Sequence, residues 1–325
     1  MVTRIATPIE AAQKSSSLSS FEASTCAKMA RISGKAFCAL ALLLTGAAVA
    51  TACTFSPLAG GLFGMAALIS LAVGYYLLEE NRPIYPGVLG LHNQGNSCWF
   101  NASFQGILWQ NQLIKEFFLK ENQLEEHQEL CTMVREYNRQ MGRAVYKGPY
   151  VATDGNQQDA SEYLTRLNHF FSKHIPAMQD DCGYLTLPFT EKKITAEILF
   201  EGTDNSSDQT SQAPPYLTIQ INRFENPLNE KPRKINKGID APMQLEIEER
   251  YVRRENYALV GFVVHKGGLD GGHYFAYAKR EGYWYLCNDS SIEPVEENDI
   301  PKAVKQAYIL QYEKEENIPL VIASS

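Results

Sequence analysis

A run without any charged side chain is the feature that most limits how this chain can fold. It covers residues 36–78 of a 325-residue sequence. As a single helix it would be roughly 65 Å long, about twice the thickness of a bilayer core. Pro57 and Gly60 lie in its middle, where they favour a turn. The run therefore predicts a transmembrane helical hairpin with spans near 37–55 and 62–78.

The residues before this hairpin predict its orientation. Lys28, Arg31 and Lys35 come just before the first span, and basic residues favour the cytosolic side of a membrane. Since a hairpin returns the chain to the side on which it started, everything after it should also face the cytosol. Residues 1–35 form a Ser-rich leader that we expect to be disordered. A helical hairpin buried in a soluble core is the alternative interpretation.

The rest of the chain has an ordinary globular pattern. After a linker at residues 79–87, residues 88–315 begin with apolar spacings of three, four and seven, which are typical of helices. Their second half contains β-branched and aromatic segments that predict antiparallel strands. Helices followed by strands indicate an α+β domain. Residues 316–325 form a tail.

Charge and cysteine content argue against several classes of function. The net charge of -7 and the pI near 5.5 are not typical of a nucleic-acid-binding protein, which normally presents a basic surface. The seven cysteines are odd in number, and no two form a C-x-x-C pair. Neither a disulfide framework nor a zinc site is indicated. We therefore expect no metal, no cofactor and a reducing environment.

One cysteine lies in a sequence that can activate it. Cys98 follows a loop rich in Gly and Asn, and Asn96 or Ser97 can cap the amphipathic helix that comes next. The free N–H groups and the dipole at a helix start stabilise a thiolate, so we expect the pKa of Cys98 to lie below about 8.5. The alternative is a buried structural cysteine. A second cluster of residues favours the nucleophile.

That cluster contains a histidine and two candidate partners. A pair of glycines precedes His273, which leaves room for a ligand's backbone beside the imidazole. The next predicted strand ends in Asn288 and Asp289. One of these side chains can hold the imidazole in the tautomer that a base needs, and Asn288 is the first choice with Asp289 second. His265 is interpreted as structural. The predicted catalytic set is therefore Cys98, His273 and Asn288.

Four segments of the sequence together resemble the ubiquitin-specific proteases. Residues 90–105 are similar to the Cys box of that family, residues 156–164 to its Gln-Gln-Asp box, residues 215–224 to its Pro-Leu strand and residues 269–291 to its His box. These segments follow one another in the family's order over residues 88–312. The sequence departs from the family pattern in the Cys box and in the Pro-Leu strand, at Ser97, Trp99, Ala102 and Asn222.

The resemblance implies a papain-like fold with a helical thumb, a palm made of an antiparallel sheet, and fingers. Many family members carry two C-x-x-C pairs in the fingers, whereas Cys182 stands alone here, so the fingers should be reduced and free of zinc. The resemblance also implies hydrolysis of the bond after the C-terminal glycine of ubiquitin, through an acyl-enzyme on Cys98. Asn93 matches the family residue whose amide donates to the oxyanion, with the backbone N–H of Cys98 as a second donor.

The same resemblance predicts where the tail of ubiquitin binds. Asp159 and Glu162 are three residues apart on one face of a helix and could pair with arginines of that tail. The predicted substrate-binding set is completed by Gln158, Gly272, Tyr274 and Trp284. Each type has a structural alternative: acidic residues often cap helices, aromatic residues on strands are usually core, and Gln157 and Gln158 could brace the catalytic loop.

Partners and location follow from these predictions. Ubiquitin or ubiquitinated proteins are the expected partners. The alternatives are a protease for another ubiquitin-like modifier and a weakly active, membrane-tethered binding module. A papain-like protease or acyltransferase with unrelated substrates would have no use for the Gln-Gln-Asp box. The Ser-rich leader and charge-free hairpin resemble those of chlamydial inclusion membrane proteins, which implies a secreted bacterial effector facing host cytosol; an organellar membrane of a eukaryote is the alternative location.

Overall fold

The chain divides into two compact units, Met1–Tyr85 and Pro86–Ser325. The computed structural model describes residues 65–73, 84–85, 87–120, 127–151, 155–181, 183–190, 192–200, 213–225, 231–247, 254–268 and 271–315.

Most of the predicted membrane hairpin lies outside the described residues. The same is true of the leader, of most of the linker and of the tail, at residues 1–35, 79–87 and 316–325. Within the hairpin, residues 65–73 are described, and they form a helix. In the described part of the chain, no helix combines the length and the apolar character needed to cross a bilayer. The hairpin therefore stays a prediction.

The second unit begins with helices, as the apolar spacing predicts. They are α1 (Cys98–Gly106), α2 (Gln112–Lys120), α3 (Gln128–Arg139) and α4 (Ala160–His174), with 3-10 turns at Leu108–Gln110 and Pro176–Asp181. All nine residues of α1 are buried, including the polar Asn101, Ser103 and Gln105. A helix that is buried on every side must lie in the middle of its domain. The Cys-bearing helix is therefore the central element of the thumb.

The strands of the second half form the palm. They are β1 (Tyr184–Pro188), β2 (Tyr216–Asn222), β3 (Phe224–Glu225), β4 (Arg233–Lys234), β5 (Gln244–Ile247), β6 (Glu255–Gly267), β7 (Gly272–Arg280), β8 (Tyr283–Asn288), β9 (Ser291–Val295) and β10 (Ala307–Lys314). Two short helices, α5 (Ala196–Phe200) and α6 (Ile300–Ala303), lie between them. In the main sheet the order is β1-β2-β10-β6-β7-β8-β9, β5 also pairs with β6, and β3 and β4 form a separate ribbon. The predicted α+β arrangement is confirmed.

The palm differs from the predicted antiparallel sheet at one edge. β1 runs parallel to β2, with Tyr184 opposite Thr218 and Pro188 opposite Asn222. Parallel neighbours need a crossover connection of a dozen or more residues. Such a connection is present here because α5 lies in the segment between β1 and β2. The sheet is therefore mixed.

The expected fingers region lies between α4 and β2. Its described residues contain β1, which joins the edge of the palm, and α5. Residues 201–212 are not described. No group of three or more His, Cys, Asp or Glu side chains that could hold a metal ion occurs in the described residues.

α1 packs against the sheet where two backbones approach closely. A Cβ atom at Gly261 on β6 would lie only 2.2 Å from the carbonyl oxygen of Gly106, at the end of α1. A Cβ atom at Gly106 would lie 3.0 Å from the Cβ of Ala276 on β7. At Gly261 the added atom would clash with backbone, so only glycine allows this approach. The two glycines thus let α1 lie close to β6 and β7.

Candidate active site

Cys98 is the first residue of α1, and its side chain is only 3% exposed. The predicted helix cap is absent, because Ser97 makes no capping hydrogen bond with its side chain. Its hydroxyl instead accepts a hydrogen bond from the backbone N–H of Gln94 at 3.0 Å, within the loop before the helix. Asn96 has a positive φ of 55° and donates to the carbonyl of Gly155 at 2.9 Å, so it too serves the loop.

The electrostatic surroundings of Cys98 correct one sequence-based expectation. Burial raises the pKa of the thiol above its ordinary value, and the nearby carboxylate of Asp289 raises it further. The backbone N–H groups of Tyr274, Trp99 and Cys98 itself act in the opposite direction. Because loss of solvent is the largest effect, the helix start does not lower the thiol pKa in this substrate-free structure. Burial and the charge of Asp289 thus favour the neutral thiol over the thiolate.

His273 lies at the start of β7, one residue before Tyr274, whose backbone N–H faces the thiol. Its Nε2 is 2.6 Å from Oδ1 of Asn288, which is the last residue of the neighbouring strand β8. An amide oxygen can only accept, so Nε2 carries the proton and Nδ1 keeps its lone pair. The sulfur of Cys98 faces the backbone N–H of Tyr274, one residue along the strand. No hydrogen bond joins Cys98 and His273 in the described residues, but Nδ1 remains available for the thiol proton.

Asp289 contacts the nucleophile side of the site. Its carboxylate accepts hydrogen bonds from the side-chain amides of Asn93 at 3.0 Å and of Asn101 at 2.8 Å. Its carbonyl accepts from the backbone N–H of Leu91 at 2.9 Å. Of the two candidate partners, Asn288 therefore contacts the imidazole, whereas Asp289 ties the turn after β8 to the loop that leads to Cys98.

Asn93, the predicted oxyanion donor, lies within this Cys loop. Its Oδ1 accepts hydrogen bonds from the backbone N–H groups of Gly95 and Ser97, both at 3.1 Å. Its amide nitrogen has two hydrogens, one of which is directed to Asp289. The side chain is thus held at both ends, and a second N–H remains for a substrate.

The Gln-Gln-Asp box mainly makes internal contacts. Asp159 is the N-cap of α4 and accepts from the backbone N–H groups of Ser161 and Glu162. Its carboxylate also accepts hydrogen bonds from the hydroxyls of Tyr274 at 3.2 Å and Tyr308 at 2.9 Å. Asp159 is therefore already saturated by donors from its own chain.

The glutamines of the box differ from each other. The carboxamide of Gln157 pairs with the backbone of Gly272, donating to its carbonyl at 2.6 Å and accepting from its N–H at 3.1 Å. This is the bracing contact that was the alternative interpretation of the box. Gln158 instead accepts a hydrogen bond from Arg166 at 3.3 Å. Glu162 and Gly272 are exposed and accessible to a substrate.

The two aromatic candidates for substrate binding are in the interior. Tyr274 is 3% exposed and Trp284 is 1% exposed. Trp284 belongs to the hydrophobic core of the palm with Phe262. Tyr274 lies between the thumb and the sheet, and Trp284 lies within the palm. Neither ring is placed for direct contact with a bound tail.

Comparison with known proteins identifies the family of this site. The model of the ubiquitin carboxyl-terminal hydrolase family matches residues 89–312, more than half of the chain. The chain belongs to this family. The expected likeness to ubiquitin-specific proteases is thereby confirmed at the family level.

Individual ubiquitin carboxyl-terminal hydrolases resemble shorter stretches. The probable ubiquitin carboxyl-terminal hydrolase 8 of Schizosaccharomyces pombe is 33% identical over 114 residues, which cover 34% of this chain and 25% of that protein. Ubiquitin carboxyl-terminal hydrolase 43 of Homo sapiens is 42% identical over 71 residues, covering 21% of this chain and 6% of that protein. The matched part of this chain thus spans a quarter or less of these relatives.

Solved structures of the family share the fold. A chain of the yeast SAGA DUB module superposes with a TM-score of 0.53 at 20% identity, covering 76% of this chain and 73% of that chain. A chain of the module of Ubp8, Sgf11, Sus1 and Sgf73 bound to monoubiquitin gives 0.50 at 18% identity, with 76% and 75% covered. The mixed α/β fold of the family is therefore present here.

Two residues at the candidate site were missed by the sequence-based prediction. Asn101, buried inside α1, donates to Asp289. A polar amide three residues after the nucleophile, in an otherwise apolar helix, is a signal that could have found it. Lys234, which contacts His265 beside β7, had no such signal because its partner is distant in sequence.

Proposed function

We propose that this chain is a cysteine-type deubiquitinase, which hydrolyses the isopeptide or peptide bond after the C-terminal glycine of ubiquitin. The observation that carries this proposal is the hydrogen bond between Nε2 of His273 and Asn288, which leaves Nδ1 for a cysteine at the start of the buried helix α1. Membership of the ubiquitin carboxyl-terminal hydrolase family supports the choice of substrate.

The proposed reaction uses each of these atoms. Nδ1 of His273 takes the proton of the Cys98 thiol, and the sulfur forms a bond to the carbonyl carbon of the terminal glycine. The tetrahedral intermediate collapses with loss of the lysine amine, which His273 protonates. Water, deprotonated by His273, then attacks the thioester and releases the glycine carboxylate. Asn288 stabilises the imidazolium that forms in both steps.

The oxyanion of each intermediate needs donors close to Cys98. We assign this role to the second amide hydrogen of Asn93 and to the backbone N–H of Cys98. Asn93 is held by Asp289 and by the loop backbone, so it is oriented before the substrate arrives. Loss of one oxyanion donor typically costs about 100 to 1,000-fold in rate.

Recognition of the ubiquitin tail is assigned to the rim of the site. Glu162 and Gly272 are exposed, and Gln158 belongs to the same box as Glu162. A carboxylate in the first turn of α4 is suited to an arginine of the tail. Gly272, whose N–H and carbonyl are both paired with Gln157, offers the tail an exposed surface without a side chain. Asp159 and Tyr274, which are joined by a hydrogen bond, support this rim from within, whereas Trp284 lies in the core of the palm.

A protease for another ubiquitin-like modifier is the second candidate. It is favoured by one observation, namely that β1 of the expected fingers region joins the palm sheet. A reduced fingers region leaves less surface to distinguish ubiquitin from its relatives.

Attachment to a membrane through residues 36–78 is part of the proposal. The charge-free sequence supports it, and so do Leu68 and Ile69, which are exposed on the helix of residues 65–73. Exposed apolar side chains of this size favour a lipid environment. The catalytic unit would face the cytosol, either on an organellar membrane or, for a bacterial effector, on the membrane of a host vacuole.

Covalent capture tests the proposed function. Ubiquitin that carries an electrophile at its C-terminus should label the full-length chain, and Cys98→Ala should abolish the labelling. Cys131→Ala is the matched control, because Cys131 is also a buried cysteine but lies on α3. A wild-type chain that remains unlabelled by ubiquitin but is labelled by another modifier would favour the second candidate. A chain that binds ubiquitin without labelling would indicate a binding module.

A further inference from the structure

A half-buried lysine, Lys234, and a buried histidine, His265, lie beside the active site without a part in the proposed reaction. Nζ of Lys234 is 3.0 Å from Nδ1 of His265 and donates to the carbonyl of His265 at 2.7 Å. It also donates to the carbonyl of Gly267 at 3.2 Å. The three hydrogens of the ammonium group thus have three acceptors, all of which belong to the last residues of β6.

Lys234 is held in place by the palm itself. Its strand β4 pairs with β3, and the next residue, Ile235, donates to the carbonyl of Arg223 at 2.7 Å. The buried Arg223 donates in return to the carbonyl of Ile235 at 3.2 Å, and to that of Lys305 before β10 at 2.9 Å. The backbone that carries Lys234 is therefore fixed to β2 and to the residues before β10.

The charges of the pair agree with this hydrogen-bond pattern. Burial and Lys234 lower the pKa of His265 to about 4, so its ring is neutral and Nδ1 can accept. Burial and the guanidinium of Arg223 lower the pKa of Lys234 to about 8, so it is still mainly protonated at neutral pH. The other charged or titratable groups that act on this pair are Asp159 and His273.

The end of β6 in turn sets the start of β7. Lys266 is paired with His273 and Gly267 with Gly272. The ring of His265 stacks on Tyr274 at 4.3 Å with an interplanar angle of 19°. A Cβ atom at Gly272 would lie 2.3 Å from Nε2 of His265, so the backbone of Gly272 rests directly on this ring. A shift of His265 would move the residues on both sides of His273.

We infer that Lys234 is a positioning residue for His273: by joining His265 and Gly267 it fixes the end of β6, and through β6 it fixes the imidazole against Cys98. Gln157 holds Gly272 from the thumb, and Lys234 holds the same turn from the palm. The inference rests on the proposed role of His273 as the base.

The test compares Lys234→Met and Lys234→Arg with Arg233→Met in the full-length chain. Arg233 is the adjacent residue, and its exposed side chain pairs with Glu225 on β3. Two measurements are made. The first gives kcat and KM on ubiquitin with a C-terminal aminocoumarin, and the second gives the pH dependence of Cys98 alkylation by iodoacetamide, followed by peptide mass spectrometry. The second measurement needs no ubiquitin.

For Lys234→Met we expect kcat to fall about tenfold or more with KM within twofold, since a misplacement of ~1 Å can cost about 100-fold. Alkylation of Cys98 at neutral pH should fall in parallel, because the sulfur loses its base. Lys234→Arg keeps the charge and the donors and should restore most of both quantities, and Arg233→Met should match the wild type.

Three results would overturn the inference. The first is wild-type kcat and alkylation in Lys234→Met. The second is a rise in KM at unchanged kcat, which would place Lys234 in contact with ubiquitin. The third is a lowered melting temperature with an unchanged alkylation profile, which would indicate a purely structural role. If Lys234→Met does not fold, the alkylation profile of Lys234→Gln decides in the same way. Lys234-dependent alkylation without any activity on ubiquitin would count against the proposed substrate, not against the positioning role.

Discussion

The nucleophile and the base of this site are held in different ways. His273 lies on β7, a strand with hydrogen-bonded neighbours on both sides, and Asn288 comes from the next strand of the same sheet. Cys98 follows a loop with two residues at positive φ, Gly95 and Asn96, and this loop is held by side chains. Backbone pairing thus orients the base, whereas a network of amides and one carboxylate orients the nucleophile.

The loop before Cys98 is held in place by contacts with the palm. Asp289 comes directly after the strand that supplies Asn288, yet its carboxylate binds Asn93 and Asn101 on the thumb. Two consecutive residues therefore serve the two halves of the site separately. This division predicts that the halves respond differently to substitution, in activity, in pH dependence and in stability.

The largest effect is expected for His273→Ala. General acid–base catalysis typically contributes about 100 to 10,000-fold, so kcat should fall by that order. Because the sheet and not the side chain holds β7, the melting temperature should stay close to that of the wild type. His169→Ala, an exposed histidine on α4, is the control and should leave kcat unchanged. A large loss of stability in His273→Ala would show that backbone pairing alone does not hold this part of β7.

The next effect separates Asp289 from Asn288. Asp289→Asn replaces one of the two carboxylate oxygens by an NH2 group, so the amide of either Asn93 or Asn101 loses its acceptor. An unpaired buried donor costs about 1–3 kcal/mol, so kcat should fall about 10 to 100-fold. The charge of Asp289 raises the pKa of Cys98, so removal of the charge should lower that pKa. Iodoacetamide should therefore modify Cys98 faster at pH 7 although turnover is slower.

Asn288→Ala is the matched comparison for this experiment. It removes the acceptor of the imidazole, so turnover and Cys98 alkylation should both decrease. If the two variants gave the same alkylation profile, the division of roles between consecutive residues would be wrong.

A third prediction concerns stability and acid. The pKa of His265 is about 4 in the folded chain, below its ordinary value of 6.5. The unfolded chain therefore takes up a proton between pH 6.5 and 4 that the folded chain does not. Stability from this group is complete above pH 6.5 and is lost as the pH falls towards 4. Between pH 7 and pH 5 the free energy of unfolding should decrease by about 2 kcal/mol.

Urea unfolding of the full-length chain at the two pH values measures this effect. His265→Asn should reduce the pH dependence by most of that amount, while His169→Ala should leave it unchanged. An unaltered pH dependence in His265→Asn would show that the ring is not kept neutral by Lys234 and burial.

Much of the fold could be predicted from the sequence because its signals are local. The strand that starts at Tyr216 and the strands around His273, Tyr283 and Ala307 have clear β-branched and aromatic patterns, and all are present. The parallel position of β1 could not be predicted, because it depends on a pairing between Tyr184 and Thr218 that leaves no mark on either segment. Pairing register is a property of the whole sheet.

The sequence predicted which residue types form the site, but it did not predict the direction of the shift in the thiol pKa. The residue types around Cys98 and His273 indicated a nucleophile, a base and an orienting amide, and the structure brings them together. The direction of the shift in the thiol pKa was predicted wrongly, because the helix start is a local feature, whereas the burial of Cys98 and the charge of Asp289 depend on residues that are distant in sequence. The roles of Lys234 and Asn101 also depend on such distant contacts.

The smallest predicted effect is on KM, and it distinguishes two acidic residues at the start of α4. Asp159 is saturated by internal donors, whereas Glu162 is exposed in the first turn of α4. If Glu162 pairs with an arginine of the ubiquitin tail, Glu162→Gln should raise KM up to about fivefold at unchanged kcat, since exposed ion pairs contribute about 0.2–1 kcal/mol. High salt should reduce the difference between variant and wild type.

Asp159→Asn should behave in the opposite way. Its carboxylate joins the thumb to Tyr274 and Tyr308 of the palm, so its loss should lower kcat and the melting temperature and should change KM little. Steady-state kinetics on ubiquitin with a C-terminal aminocoumarin measures both variants in one series. A rise in KM for Asp159→Asn that matched the rise for Glu162→Gln would mean that the internal contacts of Asp159 open when ubiquitin binds. Asp159 would then bind substrate as Glu162 does, and the distinction between the two acidic residues would be wrong.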